Sequence, residues 1–534
     1  MTEVFQHTLY SAALYRRGPV LTSDRKVNPK ADFRRTGDPR GVLVSRPVDP
    51  SLGAYIRSSD RSASLLGEPV ATDLFGTELR YYTIVGGNVY TSSSVRALAR
   101  LLGRVTLNEL ALAELLSFGL VLRDETVVRE IRSIPAHSVL NPDGTIISRP
   151  GPRSSSRVAD GPTAARRLRH LLGSIIDETE DQWGTHCVGF TGGKDSRILA
   201  ALPKHSPDRW HYLSVSGRDD AEHQGSMATA NRLRLEHFSW MEWTDQFLEG
   251  AAYRVSADLA NGVGAVSDYT MLRSYFEGYR ERVLGAGEAD NGVALWIGTL
   301  ADGLFAGTYL SSPANTVREA LTPRTAHLPH VLTRSVLDHF EGQRAFYDSN
   351  PFAFTPERHD EVGYFIRLFT RGRCYVCRAL SCFDRVGGAQ VNPYLHPDVV
   401  ALALETDSRL FVSDSLRDGV LAEFGPGLDE RSAFGYRAPG YGHHVFRALS
   451  EEVRRADALN DLVAPSLLEE MRAGRFPDLS PNPDAATPSS DTPAYRVHAD
   501  HQQPGVRSLR DYEHLLTYAT FLNLLVEDGV ALSG

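Results

Sequence analysis

The sequence predicts an α/β protein built around a parallel sheet, and three observations lead there. The stretch "CVGFTGGKDSRILAAL", residues 187–202, passes from a short apolar run through two glycines into helical spacing. The same alternation of apolar run and helical segment recurs downstream. Glycines and acidic residues collect where the apolar runs end, and in an open parallel sheet that is the ligand-binding edge.

Taken in order, Cys187 to Phe190 predicts a buried strand, and Ser196 to Leu202 a helix packed on it. "WHYLSVSG", residues 210–217, predicts a second strand, and "AEHQGSMATANRLR" a helix. "EHFSW", residues 236–240, predicts a third strand. "RVLGAGEAD", residues 282–290, predicts a strand running into a glycine turn and acids. Near the end, "RSLRDYEHLLTYATFLNLLVED" places Leu509, Leu515, Leu516, Tyr518, Ala519, Leu522 and Leu525 on one broad helical face. Residues 476–505, rich in Pro, Ser, Asp and Ala, predict a flexible insert.

A strand, a glycine turn and a helix N-terminus together form an anion site, because unpaired N–H groups and the helix dipole point at the turn. A phosphate is the expected guest. The Walker A pattern is excluded, since Lys194 is followed by Asp195 and the position six before it is Val188. No G-x-G-x-x-G dinucleotide fingerprint occurs in this loop. The alternative is a purely structural turn in which glycine serves backbone geometry alone.

Composition narrows the classes. A chain of 534 residues, 42% apolar, predicts more than one domain with sizeable cores. A net charge of −9 and a pI near 6.1 argue against a protein that coats nucleic acid. No apolar run reaches spanning length and "MTEVFQHTLY" lacks a signal-peptide pattern, so no membrane is expected and a cytoplasmic protein is predicted. Four cysteines do not form a disulfide scaffold. Three of them, Cys374, Cys377 and Cys382, are read as core residues in a helical segment, with half of a zinc site as the alternative.

"TGGKDS" resembles the S-G-G-x-D-S pyrophosphate loop of the N-type ATP pyrophosphatases, with Thr191 keeping the first hydroxyl. The surroundings sharpen the resemblance to the asparagine synthetase superfamily. "LSVSG", Leu213 to Gly217, is similar to the family strand whose backbone reads adenine, and "LGAGEADN", Leu284 to Asn291, to its second acidic loop. Residues 73–102 are similar to the family's hairpin, strand and helix, residues 107–144 to its connecting helix and strand, and "VNPYLHPDVVALAL" to a later strand-to-helix segment. The likeness covers roughly residues 40–445.

The resemblance implies ATP and Mg2+ as cofactors. It assigns nucleotide binding to Thr191, Gly192, Gly193, Lys194, Asp195, Ser196, Leu213, Ser214, Val215, Ser216, Gly285 and Gly287, and metal binding to Asp195 and Asp290, with Glu288 as the fallback. Arg437, in "FGYRAPGYG" one position before the family lysine, and Lys194 are the candidate catalytic residues; Gln390 replaces a family acid. The implied fold is a degenerate glutaminase-like (Ntn-type) domain over residues 1–155 and an ATP pyrophosphatase domain over 156–475, with the insert at 476–505 and a helix in 506–534 docking on the second domain.

Thr2 stands where a working glutaminase carries its nucleophilic cysteine, and the family's glutamine-binding segments are absent, so glutamine hydrolysis is not expected. An adenylating enzyme without an ammonia source takes its amine from the substrate. Among relatives this fits lasso peptide cyclases first and β-lactam synthetases second, acting on a peptide or an amino-acid-derived carboxylate. The lasso case would also imply a leader-peptide-handling partner. Two other classes stay open, an ATP-dependent tRNA- or sulfur-modifying enzyme and an inactive scaffold.

Overall fold

In the computed structural model the described residues are 54–56, 63–72, 75–76, 80–148, 158, 160–216, 221–242, 250–262, 293–305, 314–321, 328–349, 362–372, 389–407, 409–412, 415–428, 450–475 and 509–533. They form a mixed α/β structure with parallel and antiparallel sheets.

A six-stranded sheet lies at the centre, in the order Ala54–Ile56, Ala389–Val391, Val293–Trp296, Thr185–Gly189, Trp210–Ser216, Phe238–Glu242. Five strands run parallel, and Ala54–Ile56 pairs antiparallel with Ala389–Val391. Val188 lies opposite Tyr212 on one side and Trp296 on the other. All four residues of Val293–Trp296 are buried, as expected of a strand covered on both faces.

Each predicted strand of the 187–240 region is present, with shifted bounds. The first begins at Thr185 because His186 is wholly buried, stacked on Trp210 at 4.4 Å. Trp296 Nε1–H donates to His186 Nδ1 (3.0 Å), so His186 Nε2 carries the proton toward the Glu180 carbonyl (2.9 Å). Burial pushes this imidazole down to about 4, and it is neutral in the fold. The expected strand at 282–290 lies outside the described residues, and the sheet position beside Thr185–Gly189 is filled by Val293–Trp296.

Strand order fixes where a ligand would sit. The chain lays down Thr185–Gly189, Trp210–Ser216 and Phe238–Glu242 in one direction, then returns to the opposite flank with Val293–Trp296 and Ala389–Val391. The reversal falls between Thr185–Gly189 and Val293–Trp296, and open α/β sheets bind ligands outside the carboxyl ends of the strands at such a switch point.

Among the described residues of 64–148, seven strands form two small antiparallel sheets. The expected hairpin is Tyr81–Val85 and Asn88–Ser92 joined at Gly86-Gly87, followed by the helix Val95–Leu102 that Ser94 caps. A second large core draws on residues from both sides of position 155: Leu98, Leu112 and Leu116 pack with Tyr253, Leu332, Phe340, Leu467 and Leu515. The C-terminal helix Leu509–Glu527 lies in this core, packing on Gly250–Leu259 and Val95–Leu102, and Ala531–Ser533 pairs with Arg104–Thr106. Every residue from His514 to Leu525 is buried, so the helix is covered all round rather than on one face. No helix among the described residues is long and apolar enough to cross a membrane.

Candidate functional site

The strand Thr185–Gly189 ends at the switch point, and Thr191 to Gly193 turn the chain into the helix Lys194–Ala201. Gly193 is the N-cap residue and supplies no side-chain cap. The turn is shaped by two hydroxyls. The Gly193 N–H donates to Thr191 Oγ1 (3.2 Å), Ser196 Oγ–H donates to the Gly193 carbonyl (3.1 Å), and the two hydroxyl oxygens are 3.4 Å apart. At its far end the helix is closed by Lys204, whose ammonium donates to the carbonyls of Leu199 (2.8 Å) and Leu202. Burial pulls Lys204 down to about 7.

Gly192 is required twice over. Its φ of +72° is left-handed, and a Cβ there would stand 2.9 Å from the Ser226 amide nitrogen and 3.1 Å from the Gly225 carbonyl carbon. The helix Ala221–Leu233 thus backs directly onto the turn. Part of the glycine signal is therefore structural.

The charges are not explained by turn geometry. The Arg417 guanidinium donates through Nη1 to Asp195 Oδ1 at 2.6 Å, and Lys194 pairs with Asp418. Arg417 and Asp418 are consecutive on the helix Ser415–Ala422, so two consecutive loop charges meet two consecutive opposite ones. Arg197 is buried and donates to the Leu428 carbonyl (2.5 Å); burial pulls it below its usual range against the fields of Asp418 and Asp195. Among these five side chains, three cations face two carboxylates at a helix N-terminus, which favours an anionic guest.

The turn is gripped from the sheet side as well. Tyr394 O–H donates to the Asp195 carbonyl (3.2 Å), and burial holds this phenol well above its ordinary range. A Cβ on Gly298 would stand 3.0 Å from Asp195 Cβ, so the carboxyl end of Val293–Trp296 touches the turn closely. The Ala301 N–H then donates to the Gly298 carbonyl (3.1 Å), and Ala301–Phe305 carries Asp302 in its first turn. The strand, glycine and acid order expected of 282–290 occurs, among the described residues, at 293–302.

Trp210–Ser216 outruns Thr185–Gly189 beyond Leu213, which brings Ser214 to Ser216 beside the turn. The side chains of Leu213 and Val215 are buried, and the Leu213 carbonyl accepts the Phe190 N–H (2.8 Å). Ser214 Oγ–H donates to Ser226 Oγ (3.1 Å), which donates to the His223 carbonyl (2.9 Å). Trp240 Nε1–H donates to Ser216 Oγ (3.0 Å), and the His223 and Trp240 rings lie 4.3 Å apart.

The structure thus brings together Thr191 to Ser196 and Leu213 to Ser216. Gly285, Gly287, Glu288, Asp290, Arg437, Thr2 and Cys374, Cys377 and Cys382 lie outside the described residues. Gln390 sits on the strand Ala389–Val391, in register with Leu295 and Tyr55. Leu428, the last described residue before Arg437, is tied to the loop helix through Arg197. The sequence alone does not single out Arg417, Asp418, Tyr394 or Gly298; Arg417 is 222 residues from Asp195, and no local motif marks it. Gly298 carries only the signal of following the apolar run of residues 293–297.

Among the described residues, no group of three His, Cys, Asp or Glu side chains is placed to hold a metal unaided. No protein-family model matches the chain, and no curated protein matches it.

Proposed function

We propose that the protein is an ATP-dependent, AMP-forming carbon–nitrogen ligase of the asparagine synthetase type that works without glutamine hydrolysis. The observation that carries this reading is the Thr191 to Ser196 turn at the switch point of the parallel sheet, with Lys194 and Asp195 in the first turn of an uncapped helix. A second acid, Asp302, follows the carboxyl end of the adjoining strand.

The donor set suits magnesium, which binds one or two carboxylates and takes its other oxygens from phosphates and water. Asp195 would hold it, with Asp290 or Asp302 as the second ligand. When bound, the ion would neutralise charge on the phosphates. The chain's own residues do the rest. The N–H groups at Gly192 and Gly193 would neutralise the departing pyrophosphate, the Gly193 N–H exchanging its bond to Thr191 Oγ1 for a phosphate oxygen, and Lys194 adds a positive charge beside it. A substrate carboxylate oxygen attacks the α-phosphorus of ATP and the bond to the β-phosphate oxygen breaks, giving acyl-AMP and pyrophosphate. An amine then attacks the acyl carbon, loses a proton, and expels AMP. Holding both groups of one molecule makes the closure effectively unimolecular, and intramolecular closure of a peptide, as in a lasso peptide cyclase, is our leading form of the reaction. Arg437 is the cation we assign to charge developing at the α-phosphate.

The test is product analysis with ATP, Mg2+, hydroxylamine and a panel of amino acids and short peptides. We expect a hydroxamate together with equal amounts of AMP and pyrophosphate. ADP and phosphate as the products would overturn the mechanism.

A further inference from the structure

We propose that Arg417 closes the Asp195 carboxylate to a bare divalent cation, and releases it only when a polyphosphate arrives to take the guanidinium. The second half rests on the nucleotide reading above; the first half does not.

The contact is positioned by packing. Ser415–Ala422 packs on both Gly161–Thr179 and Lys194–Ala201. Leu416, Val420 and Leu421 are wholly buried, and Gly419 lies so close to Ala165 that a Cβ would stand 3.2 Å from its methyl. The helix therefore delivers Arg417 to one place. Its side chain is 10% exposed and that of Asp195 21%, with Nη1 to Oδ1 at 2.6 Å. A guanidinium in that position uses a carboxylate oxygen that a cation would need, and its charge repels the cation in a site screened only partly by water.

A staple between two helices needs only one such pair. Here Asp418 already ties the same helix to Lys194, so the Arg417 pair is not needed to hold Ser415–Ala422 against the turn. Arginine is also the cation that binds phosphate oxygens through two parallel N–H groups. With a metal–polyphosphate complex in the turn, Asp195 can turn to the metal while Arg417 turns to a phosphate oxygen, and no buried charge is left alone. Metal and polyphosphate then bind as a unit. Arg417 is a positioning residue, acting on the state of Asp195.

The experiment titrates the full-length protein with Mn2+ alone, reading free Mn2+ by electron paramagnetic resonance, with the melting temperature confirming that each variant folds. We expect weak binding by the parent and a new site in Arg417→Gln at least tenfold tighter. That gain should vanish in Arg417→Gln combined with Asp195→Asn, and should be absent from Asp418→Asn, which breaks only the neighbouring pair. If Arg417→Gln does not fold, Arg417→Met, which keeps the buried stem, takes its place. A parent that binds Mn2+ at Asp195 as tightly as the variant would overturn the proposal, and so would a variant with no gain. Adding α,β-methylene ATP separates the two readings. A parent that takes up no Mn2+ with the nucleotide, while the Arg417→Gln gain stands, would refute the nucleotide assignment alone.

Discussion

Two of the buried ionisable groups among the described residues are arranged in opposite ways. At the carboxyl end of the parallel sheet, Lys194 and Asp195 are each matched by a partner from Ser415–Ala422, at an edge where strands end and partners can change. In the core shared by Glu109–Phe118 and Arg344–Tyr347, the single carboxylate of Glu114 is 1% exposed and serves three donors. Leu122 N–H reaches Oε2 at 2.7 Å, while Tyr347 O–H (2.9 Å) and Arg123 (3.2 Å) reach Oε1. Burial of charge alone therefore does not mark a functional site; a position at the carboxyl ends of parallel strands, where open α/β sheets bind ligands, is the feature that sets Lys194 and Asp195 apart.

The largest expected effect is at Glu114. Glu114→Ala leaves Tyr347 O–H and the Leu122 N–H without their acceptor in a packed core and takes one of the partners of Arg123, which keeps Gln343 (3.3 Å), and should cost about 3–5 kcal/mol, read by urea unfolding. A loss under 1 kcal/mol would erase the contrast between the two places.

Next comes a pH effect. Burial pushes the Glu114 carboxyl up to about 7, against the opposing pull of Arg123, the Leu122 amide and Tyr347. A raised carboxyl pKa means that folding takes up a proton between the unfolded value, about 4.5, and about 7, so the contribution is present at low pH and lost as pH rises through that window. Relative to Glu114→Gln, the parent should lose on the order of 2–3 kcal/mol across it and hold level above. A gap between the two proteins that is flat from pH 4.5 to 7 would show that Glu114 stays ionised in the fold.

At the sheet edge, Gly192→Ala forces a left-handed conformation on a residue with a Cβ aimed at Ser226, and should cost about 1–3 kcal/mol. Smallest of all, Arg334→Ala removes a pair with Asp338 whose side chains are 86% and 61% exposed, and its unfolding free energy should change by less than about 0.5 kcal/mol.

What was legible in the sequence follows the same division. Strands and helices from 185 to 242 were readable because apolar period and glycine punctuation act over a few residues. The first strand starts two residues before its apolar run because His186 is polar by type and buried by virtue of its Trp210 and Trp296 neighbours, which no local pattern reveals. The C-terminal helix shows one apolar face in sequence because Thr517, Thr520 and Asn523 interrupt the apolar period. In the fold they are buried too, with Thr520 bonding back to the Leu516 carbonyl (2.9 Å) and Asn523 donating to Glu452 Oε2 (2.6 Å). Arg417 and Asp418 were illegible because their meaning depends on a contact spanning more than two hundred residues.

Whether the Thr191 to Ser196 turn binds a magnesium-bound nucleotide is decided by calorimetric titration with α,β-methylene ATP, which cannot be cut between its α- and β-phosphates. The parent should bind one equivalent only when Mg2+ is present, and Asp195→Ala, folded by its melting curve, should bind none. Equal binding by parent and variant, or no binding by the parent, would contradict the nucleotide assignment.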